Sequence, residues 1–156
     1  MSQQANEAMA ERLIDLYNTD VHAMIDQCYP DDLRIKVNGV LAITDRDKFH
    51  KVESEVLGIA PDRRAAITRL LHTGDDTVTA EGTCTFTDTE SGATRRTYWC
   101  SIWTITDGLV TSDSTYLDAS VWTAAGSGST QSPGAGRARH SDSPGLTAAP
   151  SSPPAP

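Results

Sequence analysis

Residues 93–118, ATRRTYWCSIWTITDGLVTSDSTYLD, constrain the fold of this chain more than any other stretch. Tyr98, Trp99, Ile102, Trp103 and Ile105 make one β-rich run; Leu109, Val110, Thr111, Thr115, Tyr116 and Leu117 make a second. Asp107-Gly108 lies between them. Asp-Gly between β-rich runs marks a tight hairpin, because the turn that matches strand twist needs positive φ at its central residues. Two long antiparallel strands are predicted. Such a pair is stable in water only with one face covered, so the preceding residues must supply the cover.

They supply it in order. Residues 5–17 place Met9, Leu13, Leu16 and Tyr17 at helical spacing. Asp20 is suited to cap a second helix, in which Val21, Met24, Ile25, Cys28 and Tyr29 recur on one face until Pro30 stops it. Leu33, Ile35 and Val37 alternate with Arg34 and Lys36 as a short strand ended by Asn38-Gly39, and residues 40–43 resume extended structure. Thr44 and Asp47 form a capping-box pattern for a third helix with Phe49, Val52, Val56 and Leu57 as its apolar face and Gly58 as its C-cap. Period two then takes over in strands predicted at residues 65–72 and 77–87, joined by Gly74-Asp75-Asp76. With the hairpin they make a meander of four antiparallel strands.

Composition changes at Thr123. Residues 123–156 contain no Phe, Tyr or Trp and are dominated by Gly, Ser, Pro, Ala and Thr, so residues 1–122 are read as the domain and 123–156 as a disordered tail. The net charge is −8. That field repels polyanions, so no nucleic-acid partner is expected. The basic doublets Arg63-Arg64 and Arg95-Arg96 read as solvated strand ends. Cys28, Cys84 and Cys100 are odd in number and lack CxxC spacing, which suits reduced thiols in a cytoplasmic protein. Neither a signal peptide nor a membrane span is expected, nor a membrane partner.

The order helix, helix, short strands, helix, four long strands resembles that of the nuclear-transport-factor-2-like superfamily. Tyr17-Asn18-Thr19-Asp20-Val21 with Tyr29-Pro30-Asp31-Asp32 resembles its opening wording, and Thr106-Asp107-Gly108-Leu109-Val110 with Tyr116-Leu117-Asp118 its closing hairpin. The chain is most similar to the SnoaL-like branch, which includes polyketide cyclases. The resemblance implies an α+β fold: a cone-shaped α+β barrel with the N-terminal helices packed in the concave face of a curved, mainly antiparallel sheet. It also implies a mostly apolar interior pocket and often a homodimer. Function does not follow from the fold.

Counting from these motifs, the places of the steroid-isomerase Asp base, Tyr and protonated Asp are taken by Val37, Leu13 and Ser101. A valine cannot move a proton, so that isomerisation is rejected. The places of the acid and arginine residues of limonene-epoxide hydrolase fall on Thr79, Glu81 and Thr115, which also disfavours epoxide hydrolysis.

If Ser101 and Thr115 point inward, alternation adds Thr97, Trp99, Trp103 and Ile105 on one strand and Asp113 and Leu117 on the next, with Glu81 joining from the strand before. Asp113 and Glu81 near two indoles are the candidate acid/base residues, since a carboxyl desolvated by aromatic surface has its pKa raised towards a useful value. Trp99, Trp103, Ser101, Thr115, Tyr17 and Tyr29 are the candidate ligand-binding residues. The face of the second long strand is open: a one-residue slip would put Glu81 outside and Val78, Ala80, Cys84 and Phe86 inside. His22, His50, His72 and His140 lack ligand spacing, so no metal is expected, and the acid/base chemistry would need no cofactor.

The expected function is binding of a small, largely apolar or aromatic ligand inside the cone, with acid/base chemistry of the cyclase, isomerase or dehydratase type. A non-catalytic binding module, or a dimerisation module using Tyr98, Cys100, Ile102 and Tyr116, is the alternative.

Overall fold

A computed structural model of the chain describes residues 3–89, 91–118 and 120. The expected tail, 123–156, lies outside the described residues. The elements in chain order are α1 (Gln3–Thr19), α2 (Val21–Cys28), β1 (Ile35–Val37), β2 (Val40–Ile43), α3 (Arg46–Ile59), β3 (Arg64–Thr73), β4 (Thr77–Thr87), β5 (Thr94–Thr106) and β6 (Leu109–Leu117).

Asp107 and Gly108 take φ of 52° and 78°, and Asn38 and Gly39 take 50° and 83°, so both expected tight turns form where the chain tolerates left-handed backbone. The sheet order is β2-β1-β6-β5-β4-β3. All neighbours are antiparallel except β1 and β6, which run parallel with Ile35 beside Asp113 and Val37 beside Thr115. That parallel pairing makes β6 a central strand. Register breaks at Ile67/Arg69 and Thr104/Ile105 interrupt the ladders of an open, six-stranded mixed sheet, against which the three helices pack as in a cone-shaped α+β fold.

Helix ends follow their caps. Asp20 Oδ1 accepts from the Ala23 amide at 2.9 Å and starts α2 as expected. In α3 the cap is Asp45, whose Oδ1 accepts from the Lys48 amide at 2.8 Å, and not the expected Thr44. The helix also runs through Gly58 to Ile59, ending where Ala60 still donates to the Val56 carbonyl at 2.8 Å and Pro61 forbids a further turn.

The core lies between the helices and one face of the sheet. Met9, Leu13, Met24, Ile25 and Phe49 from the helices meet Ile35, Val78, Ala80, Trp103, Ile105 and Val110 from the strands. In β4 the buried residues are Val78, Ala80, Gly82, Cys84 and Phe86. Glu81 therefore faces outward, correcting its expected place beside Asp113. The physical reason is the alternation itself: the apolar set, given a choice, takes the core side. Thr79 lies on the same outer face, and the inward positions 78, 80 and 82 carry no acid.

Gly82 has a particular use. A Cβ there would stand 2.3 Å from Trp99 Cζ2 and 2.4 Å from the Ala66 carbonyl oxygen, so only glycine lets the Trp99 indole lie flat across β4. Tyr98, Ile102 and Tyr116 are exposed on the opposite face of the sheet.

Candidate functional site

Between the helices and the sheet lies a cavity of about 370 Å³, within the range of small-molecule sites. Leu13, Met24, Phe49 and Val52 form its helical wall, and Trp99 and Trp103 its sheet wall. The two indoles are tilted by 39° with centroids 6.1 Å apart. Into this apolar space β6 turns Asp113, only 5% exposed.

Asp113 is held from both sides. Tyr29, at the end of α2, donates its hydroxyl to Oδ2 at 3.0 Å, and Thr115 Oγ1 donates to Oδ1 at 2.8 Å. Ser101 Oγ lies 2.6 Å from Thr115 Oγ1. Because the Thr115 proton is directed at the carboxylate, Ser101 must be the donor in that contact. Three hydroxyl protons thus run toward one carboxylate. The Trp103 indole N–H lies near enough to favour the charged form but meets no acceptor in good hydrogen-bond geometry. Burial is the largest influence and outweighs these donors, raising the carboxyl from 3.8 to about 6.

Tyr29 is itself fixed. Its ring meets Phe49 edge-on at 5.2 Å, and its carbonyl accepts from Arg46 Nε at 3.2 Å while Arg46 also pairs with Asp31 at 2.8 Å. Burial, the nearby Asp113 charge and the hydrogen bond to it all hold the phenol well above its ordinary pKa. It remains a donor at any working pH. The arrangement can accept a proton at Asp113 near neutrality and return it, with Tyr29 and Thr115 steadying whichever form is present.

Of the expected site residues, Asp113, Trp99, Trp103, Ser101, Thr115, Tyr17 and Tyr29 all line the cavity. Glu81 does not. Its side chain is 47% exposed on the outer face, with Arg69 Nη1 at 3.8 Å. Leu13 and Val37, at two of the steroid-isomerase places, are cavity wall and apolar. His50 and His72 lie off the cavity, bonded to Asp26 at 3.0 Å and Glu7 at 2.9 Å.

Two further charged residues were not expected here. Glu53 lines the cavity from α3, and Arg63, read as a solvated strand end, is buried against it at 2.8 Å. The signal for Glu53 was present: it sits four residues after Phe49, inside the apolar stripe of α3. Arg63 had none, because a doublet of arginines says nothing of which one turns inward.

A family model of the SnoaL-like domain matches residues 10–112. The chain belongs to the SnoaL-like domain family. Solved structures agree on the fold. A SnoaL-like protein from Jannaschia sp. CCS1, assigned as a polyketide cyclase, aligns with TM-score 0.68 at 15% identity over 81% of this chain and 94% of its own. IdmH of Streptomyces antibioticus, also assigned as a polyketide cyclase, aligns with TM-score 0.67 at 16% identity over 78% and 97%. A Catenulispora acidiphila protein with a ketosteroid isomerase-like fold, solved with trimethylamine, aligns with TM-score 0.64 at 15% identity over 80% and 93%. No curated protein sequence matches this chain. The SnoaL-like match ends one residue before Asp113.

Proposed function

We propose that this SnoaL-like domain, residues 1–122, binds a small, largely apolar molecule between Trp99, Trp103 and the helices, and that Asp113 moves a proton to or from it. The observation that carries the reading is Asp113 itself, a carboxyl buried in an apolar cavity, supported by three hydroxyls and titrating near 6. Keeping an acid there weakens the fold at neutral pH, which is the usual mark of a group retained for chemistry. Cyclase, isomerase and dehydratase steps all need such a group, and the relatives assigned as polyketide cyclases favour a carbonyl-bearing ring system as guest.

A thermal-shift screen with hydrophobic ring ketones, followed by an assay of Asp113→Asn, tests this. Stabilisation by at least one ketone is expected, with turnover lost and binding kept in the variant. No stabilisation by any of them would count against the cavity as a site. Turnover surviving the substitution would remove Asp113 as the proton carrier.

Tyr98, Ile102 and Tyr116, exposed at 71%, 38% and 47% on the outer sheet face, support a homodimer through that face. Sedimentation at micromolar concentration reads it directly, and a monomer refutes it. A cytoplasmic setting fits the free thiols of Cys28, Cys84 and Cys100. Among the described residues no helix is long and apolar enough to cross a membrane.

A further inference from the structure

The cavity has a second polar end that the chemistry of Asp113 does not use. Arg63 Nη2 lies 2.8 Å from Glu53 Oε2, with side chains 1% and 12% exposed. The guanidinium carbon also stands 4.3 Å from the centroid of the Tyr17 ring. Glu53 and Tyr17 line the cavity while Arg63 does not, so the cation sits behind and the carboxylate and phenol stand in front.

As a structural tie between α3 and the start of β3 this arrangement is poor. Two desolvated charges stabilise a fold no better than a well-packed apolar pair, and Arg63 Nε and Nη1 meet no hydrogen-bond partner among the described residues. What it does provide is one acceptor and one donor in the same apolar wall, from two side chains that both pack against Arg63. The Glu53–Arg63 pair is neutral as a unit, so an ammonium group would find little field to balance its charge. A carbonyl oxygen could use Tyr17 alone. A hydroxyl uses both, giving its proton to Glu53 and accepting from the Tyr17 O–H.

The Asp113 end is consistent with such a guest. With Asp113 ionised, the protons of Tyr29, Thr115 and Ser101 are already directed inward along the network, so that end also presents acceptors. Glu53 and Tyr17 line the same cavity of about 370 Å³ as Tyr29 and Asp113, which places both ends within reach of one small molecule.

Resting on the reading of the cavity as a ligand site, we infer that Glu53, Tyr17 and Arg63 form a second recognition subsite that holds a hydroxyl on the ring system of the guest. The ligand class is thereby narrowed to hydroxylated aromatic or polycyclic molecules.

The test compares 2-naphthol with 2-methoxynaphthalene by calorimetry at pH 7 on the full chain. The Asp113→Asn variant is used so that the first end no longer offers a carboxylate. It should bind the naphthol about tenfold tighter than the ether, the effect of one hydrogen bond to a charged group. Adding Glu53→Leu together with Arg63→Met, which removes the acceptor without stranding its cation, should bring the two within about threefold of each other, because the ether and the naphthol can both still accept from Tyr17. Equal binding of the two compounds by Asp113→Asn overturns the inference, and so does a preference that survives the joint loss of Glu53 and Arg63. Binding of neither compound by the wild-type chain overturns the cavity reading as well, which keeps the two failures apart.

Discussion

Replacing Asp113 by Asn should change stability in a way that depends on pH with a defined sign. The carboxyl is raised from 3.8 in the unfolded chain to about 6 in the fold, so folding favours its protonated form. Below about pH 3 it is protonated in both states, and it contributes no penalty. As pH rises through 4 to 6 the unfolded chain releases the proton first, and the folded state loses ground until both are ionised above about pH 7. A shift of about two units at about 1.4 kcal/mol each gives a penalty of about 3 kcal/mol at neutral pH. Asn has the same shape and no charge. The stability of Asp113→Asn minus that of wild type should therefore grow by about 3 kcal/mol between about pH 3 and about pH 7.5. Denaturant melts of both chains at half-unit pH steps measure it, and taking the difference cancels the other titrating groups. A difference that stays flat across that range would refute the claim that burial outweighs the donors Tyr29 and Thr115.

Other substitutions test separate parts of the account. Gly82→Ala puts a methyl group 2.3 Å from Trp99 Cζ2 and 2.4 Å from a backbone oxygen, so it should cost about 2 to 3 kcal/mol in denaturant melts and shift the tryptophan emission; an unperturbed spectrum would mean that the indole does not lie on β4. Tyr29→Phe removes a donor to Asp113 and should raise the midpoint of the pH-dependent stability difference; a lowered midpoint would contradict the assigned direction of that hydrogen bond. Arg63→Met alone strands the buried Glu53 carboxyl and should cost about 3 to 5 kcal/mol, whereas adding Glu53→Leu should recover most of it; equal losses would show the pair is not coupled. Glu81→Gln should change stability by less than about 0.5 kcal/mol and leave ligand binding intact, because the side chain is outside.

Much of this architecture is written locally. Asp107-Gly108 and Asn38-Gly39 announce their turns because the backbone there needs residues that tolerate positive φ. Asp20 announces a helix start by offering an acceptor to orphan amides. The inward set of β5 was legible because Trp99, Ser101 and Trp103 share a parity with Thr97 and Ile105, and all but the half-buried Trp99 are buried. β4 was harder: Val78, Ala80, Cys84 and Phe86 argued one way and Glu81 the other, and only packing against the helices decides the face. The parallel contact of β1 with β6, which brings Ile35 beside Asp113, joins residues far apart in the chain and leaves no local trace. The same is true of Arg63, buried because of what α1 and α3 bring to it and not because of its neighbours in sequence.

The account turns on a carboxyl enclosed with an apolar guest space. Carbon-13 NMR titration of the Asp113 side chain, with and without 2-methoxynaphthalene, measures that most directly. A midpoint near 6 that moves higher when the naphthalene is bound, as displaced water removes solvation from the charged form, is the predicted result. A midpoint near 3.8 that does not respond to the compound would contradict it.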